Sequence, residues 1–286
     1  MKPTTGSWNY ISTILVFLLA YFIVHFMLYN DKLTQPGDKY NLKRDGFCVL
    51  KNVFSPSQIQ HLKKECNRDN YKKVKDELIT NQKLNSIIKN CTSKDHGFQD
   101  YIFIIKKSAV HTCHRDGNGD FFNEGQQFPS YTMILFLEDM EKCLGVVPQS
   151  HKSVDSFNFN FTEGITNVVC EKGDIVLFNA NLIHVGALNS RDDNLRVQMK
   201  VTHKDDVPVI SYYNNYNKIL KEDNIIPFYV RRAQQKLSCM FPIFSNWSQS
   251  EIRRTSVKGA QTGMFQKMFS YVFYGNSGFY DLPDAF

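Results

Sequence analysis

The chain has 286 residues, 42% hydrophobic and 14% aromatic, enough for a sizeable buried core. Its formal charge of +6 is scattered rather than gathered into a basic block, so no nucleic-acid partner is expected. The seven cysteines contain no Cys-x-x-Cys pair, which excludes a paired-cysteine zinc site and reads as free thiols in a reducing compartment.

In chain order, residues 10–29 come first, "YISTILVFLLAYFIVHFMLY", twenty residues without formal charge, twelve of them Ile, Leu, Phe or Val. An α-helix of that length rises about 30 Å, the thickness of a bilayer's hydrocarbon core, and its composition favours insertion by several kcal/mol. A cleaved signal peptide would be shorter and followed by small residues, which Met27-Leu-Tyr-Asn-Asp31 does not offer. Residues 1–30 therefore read as an uncleaved single-pass membrane anchor. Lys32, Lys39, Lys43 and Arg44 follow it, and this positive flank places the remainder on the cytoplasmic side. The triplets beginning at Asn90, Asn160 and Asn246 are formal glycosylation sequons, which arise by chance in an Asn-rich chain.

Residues 31–39 read as a polar linker around Pro36-Gly37. Residues 46–50 suggest a strand. Ser55, Pro56 and Gln58 then form a capping box opening a helix, and a second helix is expected over residues 74–88. After residue 100 come short β-like runs at 101–105, 131–137, 144–148, 168–170, 174–178 and 195–201, divided by turn residues. The fold class expected is mainly β with flanking α: a jelly roll preceded by helices and one N-terminal transmembrane helix. Its core domain would run over residues 40–204. Residues 205–286, with the arginine pairs at 231–232 and 253–254 and an aromatic end, would pack on the core or form a lid.

Directly after the run at 101–105 stands "HTCHRDGNGDFF" (residues 111–122), with His114 and Asp116 in a His-x-Asp spacing. A third candidate, His184, lies just past the run at 174–178, and Arg196 follows on what reads as the adjacent strand, able to face the same cavity. Two imidazoles and one carboxylate with three open positions form the facial triad of non-haem iron(II) oxygenases. A nearby guanidinium can fork onto the distal carboxylate of 2-oxoglutarate. An extended backbone over residues 111–116 would turn His111 away from His114 and Asp116, and His151 reads as a structural turn residue.

Over residues 40–202 the chain resembles the phytanoyl-CoA dioxygenase-like branch of the iron(II)/2-oxoglutarate oxygenases. The resemblance rests on "YNLKRDGFCVLKNVFSPSQIQHL", His114-Arg-Asp116, "MILFLEDMEKCLGVVPQSHK" and "GDIVLFNANLIHVGALNS" followed by Arg196, in that order. It implies a double-stranded β-helix in which His114, Asp116 and His184 hold Fe(II) and Arg196 clamps 2-oxoglutarate. O2 would then convert the cosubstrate to succinate and carbon dioxide while an aliphatic C–H bond of a small-molecule or lipid substrate is hydroxylated. The sequence departs from the family at Gln149 and Leu144, and Arg196 stands twelve residues after His184, leaving Lys200 and Arg191 as reserve clamps. Asp116 argues against a halogenase, which would leave that position open to chloride. The other readings are a non-catalytic membrane-tethered binding module on the same fold, and a zinc hydrolase at the same ligands.

Overall fold

A computed structural model of the chain describes residues 5–28, 32–35, 38–107, 111–153, 165–189, 194–221, 225–240, 263–264, 267–268 and 271–272. The compact units are Met1–Asp31 and Lys32–Phe286. Arg191, Asn160, Asn246, the arginine pair 253–254 and the aromatic end from residue 273 lie outside the described residues.

The first unit carries helix α1, Thr5–Leu28. Its side chains are described over residues 10–21, where Tyr10, Ile11, Leu15, Phe17 and Leu19 are all exposed. Among the described residues no helix is long and apolar enough to cross a membrane. That falls short of the expected span of residues 10–29, whose last residue is not described.

The second unit opens with β1 (Lys32–Leu33), where a linker was expected; it pairs in parallel with β7 (Thr166–Val168). Helix α2 (Leu42–Asp45) ends at Gly46, whose φ of +87° suits glycine and turns the chain into β2 (Phe47–Leu50). The capping box at Ser55 and Gln58 is formed and starts α3, Pro56–Asn67. The single helix expected over 74–88 is two, α4 (Tyr71–Thr80) and α5 (Gln82–Cys91). Asn81 divides them, because its side-chain oxygen accepts the Leu84 amide and so caps the second helix.

The remaining strands are β3 (His96–Phe98), β4 (Tyr101–Lys107), β5 (Tyr131–Phe136), β6 (Leu144–Val146), β8 (Ile175–Asn179), β9 (His184–Gly186), β10 (Arg196–His203) and β11 (Tyr216–Lys221). They form two sheets. The larger runs β11-β4-β10-β5-β8-β2, with β3 paired to β10, and the smaller runs β1-β7-β6-β9. This mixed α/β arrangement with two β-sheets keeps the jelly-roll expectation.

Period-two alternation sorts the apolar residues onto two layers. Ile175 and Leu177 of β8, with Val197, Met199 and Val201 of β10, pack beneath α3–α5. Val176 and Phe178 of β8 point the other way, joining Phe47 and Phe136 against Leu144, Val146 and Val168 of the smaller sheet. On β10 the alternate positions Arg196, Gln198, Lys200 and Thr202 therefore share the face opposite the helices.

Two expectations need correction. His184 and Arg196 are not on adjacent strands: β9 belongs to the smaller sheet and β10 to the larger one. Past residue 204, β11 extends the larger sheet by pairing in parallel with β4. The second concerns sulfur. Helix α6 (Phe228–Met240) lies beside the His-x-Asp segment, and Cys113 and Cys239 are paired as a disulfide with Cα atoms 4.9 Å apart, so the seven cysteines are not all free.

Candidate metal centre

Residues 111–116 do not form a long strand, but His114 makes an isolated antiparallel bridge with the first residue of β9. The amides and carbonyls of His114 and His184 exchange two hydrogen bonds of 2.9 Å, and the Asp116 amide donates to the Ala180 carbonyl at 2.9 Å. Direct opposition sets the imidazoles side by side, ring centroids 4.4 Å apart, with Phe178 against His184 at 4.5 Å. The loop that follows needs glycine: a Cβ on Gly119 would collide with the Asn181 side-chain oxygen.

Each histidine is held in the same way. His114 Nδ1 donates to the Thr112 carbonyl and His184 Nδ1 to the Leu182 carbonyl, both at 2.9 Å. The proton is thereby fixed on Nδ1, leaving the Nε2 lone pairs free to ligate. These lie 3.9 and 3.5 Å from Asp116 Oδ1, and the candidate ligand atoms of all three residues fall within 4.8 Å of one another.

The second oxygen of Asp116 is occupied differently. Lys200 Nζ donates to Oδ2 at 2.6 Å, and the Thr132 hydroxyl donates to the same atom. Lys200 is fully buried, reaching Thr132 Oγ1 at 3.0 Å and Asn118 Oδ1 at 3.1 Å, with the Tyr101 and Tyr213 rings 5.7 and 5.5 Å away. Burial alone would raise the Asp116 carboxyl, but the Lys200 ammonium and the two histidines outweigh it and hold it well below the usual carboxylate range. Burial, reinforced by His184, lowers His114 to about 4. The result is two imidazole nitrogens facing one ionised oxygen, a donor set that fits a divalent cation with open positions left over.

Arg196 is buried at the start of β10, and its Nη1 donates to the Asn194 carbonyl at 3.1 Å. It shares the inter-sheet face with Lys200, four residues further along the strand. His111 is turned away and pairs with Gln234 of α6 at 2.7 Å, while His151 contacts the Lys43 carbonyl at 3.2 Å. Neither joins the cluster. Lys200, named in the sequence only as a reserve clamp, is the cation in contact with Asp116. Thr132 and Asn118 were not foreseen, although Thr132 occupies an inward position of β5 opposite Lys200.

One consequence is testable in metal-free protein. An unfolded chain protonates His114 near pH 6.5, whereas the folded chain resists until about 4. The unfolded state thus binds more protons in between, so stability is full above pH 6.5 and falls as pH drops toward 4, by up to roughly 3 kcal/mol. Urea unfolding of metal-free protein at pH 7 and pH 4.5 should show the loss, and His114→Asn should flatten it.

The sequence profile of the family described as Phytanoyl-CoA dioxygenase (PhyH) matches residues 70–196. No match is found among curated proteins. Among solved structures, the chain is similar to the non-heme alpha-ketoglutarate-dependent epimerase SnoN from nogalamycin biosynthesis, at 15% identity over 57% of this chain and 80% of that one, with a TM-score of 0.48. It is also similar to HygX from Streptomyces hygroscopicus with iron bound, at 13% identity over 62% and 86% with a TM-score of 0.47. AviO1 from Streptomyces viridochromogenes Tue57 matches at 17% identity over 59% and 96%, TM-score 0.46. Likenesses of this size carry no weight in assigning an activity.

Proposed function

From the match of residues 70–196 to the phytanoyl-CoA dioxygenase family profile, we propose that the protein is an Fe(II)- and 2-oxoglutarate-dependent dioxygenase that hydroxylates an aliphatic C–H bond of a small-molecule or lipid substrate. The observation that carries the reading is the convergence of His114 Nε2, His184 Nε2 and Asp116 Oδ1 with both Nδ1 protons tied to carbonyls.

Bound iron(II) with 2-oxoglutarate supplies the oxidation of the C–H bond by O2. The chain's own residues do the rest. The two histidines present lone pairs without rearranging. Lys200 and Thr132 occupy Asp116 Oδ2, so that the carboxylate offers Oδ1 alone. Arg196, on the same face of β10 as Lys200, would fork onto the distal carboxylate of the cosubstrate. Aerobic incubation of iron-loaded protein with 2-oxoglutarate and a panel of lipids and small molecules, scored by succinate, tests the reading.

The Lys200–Asp116 ion pair favours the second reading, a binding module whose carboxylate is already neutralised without metal. Absence of iron binding at neutral pH would select it.

The apolar, exposed side chains of α1 over residues 10–21 support a membrane-anchoring role for the first unit. Carbonate washing should leave the full chain in membranes, and deleting residues 1–31 should move it to the soluble fraction. Full-length protein released by carbonate would remove the anchor from the account.

A further inference from the structure

The two histidines of the candidate centre stand on lightly held backbone. β9, which carries His184, has three residues and lies at the end of the smaller sheet, paired to β6. His114 is joined to it by a single isolated bridge. Helix α6, which lies outside the matched residues 70–196, packs against this pair through four of its residues. Gln234 Oε1 lies 2.7 Å from His111 Nε2, and Ser238 Oγ accepts the Cys113 amide at 2.8 Å. Gln235 Nε2 donates to the Gly186 carbonyl, on β9, at 3.2 Å. Cys239 is bonded to Cys113, the residue before His114. Positions 234, 235, 238 and 239 form two adjacent pairs one turn apart, so they share a helix face. Cys239 also joins Cys113, Ile165, Ile183 and Val185 in one buried apolar cluster. One helix therefore grips both the residue before His114 and the strand that carries His184.

We propose that α6 is a clasp for the metal centre. Gln235, Ser238 and Cys239 are positioning residues that keep His114 and His184 in register, and opening the Cys113–Cys239 bond weakens metal binding. This rests on the reading of His114, Asp116 and His184 as a metal site. The covalent bond makes the clasp rigid, because the hydrogen bonds of Gln234, Gln235 and Ser238 exchange for water once the helix lifts. A dithiol opens the bond by exchange. One thiolate of the dithiol attacks a sulfur of the pair, and its second thiol displaces the protein from the mixed disulfide. The dithiol leaves as a disulfide, and Cys113 and Cys239 gain its two electrons and two protons. Both residues are buried, so the end of α6 lifts to admit the dithiol. With the helix released, the histidine pair keeps only its own two backbone hydrogen bonds of 2.9 Å. Groups that hold metal ligands in place typically govern affinity by about 10- to 100-fold, and an effect of that size is expected.

The test uses Co(II) as the probe, on full-length protein purified in mild detergent. One portion is kept oxidised. Another is treated with dithiothreitol, which is then removed anaerobically so that it cannot chelate the metal. Alkylation in denaturant and peptide mass spectrometry record the state of Cys113 and Cys239 in each. Co(II) affinity is read from the visible band that His184→Ala lacks. It should be about 10- to 100-fold weaker after reduction and return when oxidised glutathione re-forms the bond. Cys239→Ser should bind as weakly as the reduced protein and be indifferent to dithiothreitol, which excludes an effect through the five free cysteines. Equal affinity and an unchanged band, with the bond shown to be open, overturn the clasp and leave the metal site standing. Finding Cys113 and Cys239 as free thiols in the purified protein does the same. Oxidised protein that binds no Co(II) overturns both.

Discussion

Replacing His184 with alanine is expected to abolish iron binding and succinate formation while the fold survives. His184 supplies one of three converging donors, so the loss should exceed the roughly 10- to 100-fold in metal affinity typical of changes one shell further out. His114→Ala should behave alike. Asp116→Ala should also silence the site, but with a second penalty. It strands the buried Lys200 ammonium, whose partner at 2.6 Å is gone. Breaking a buried pair from one side costs about 3–5 kcal/mol. The thermal midpoint of Asp116→Ala should therefore fall well below that of His184→Ala, and adding Lys200→Met should recover much of the difference. Iron content, succinate release and melting temperature on the same preparations check all of this. Full activity in His184→Ala would remove it from the ligand set.

The second large effect concerns the cosubstrate. A charge-assisted bond contributes about 1.5–3 kcal/mol, so Arg196→Ala should raise the 2-oxoglutarate requirement by about 10- to 150-fold. Arg196→Lys should recover only part of it, because an ammonium cannot form the planar fork. Lys200→Met should act on iron affinity instead, since Lys200 holds Asp116 Oδ2. Titrations of 2-oxoglutarate against succinate separate the two. If Arg196→Ala leaves the requirement unchanged and Lys200→Met raises it, the clamp is Lys200.

What could be read from the sequence and what could not divides along the range of the interactions. The capping box at Ser55 and the alternating runs of β4, β5, β8 and β10 are local patterns, and each appears within a residue or two of its expected place. His114, Asp116 and His184 could be nominated together because residue types and motif order survive without any knowledge of pairing. The sheet assignment of His184 could not. A three-residue strand such as β9 is too short to show a period, and its partner β6 is some forty residues away. The same holds for β11, which joins β4 across more than a hundred residues. The break at Asn81 was hidden because the apolar spacing continues on both sides of the cap. Cysteine pairing depends wholly on long-range placement: Cys113 and Cys239 are 126 residues apart, and only the docking of α6 brings them together.

The central claim, that His114, Asp116 and His184 form an iron(II) site serving 2-oxoglutarate, is tested most directly by anaerobic titration of the purified protein with Fe(II) and the cosubstrate. Calorimetry and visible absorption should be followed together. One equivalent of iron should bind, and adding 2-oxoglutarate should produce a charge-transfer band in the visible that is absent in His184→Ala. Iron that fails to bind, or a band that persists unchanged in His184→Ala, would contradict the account.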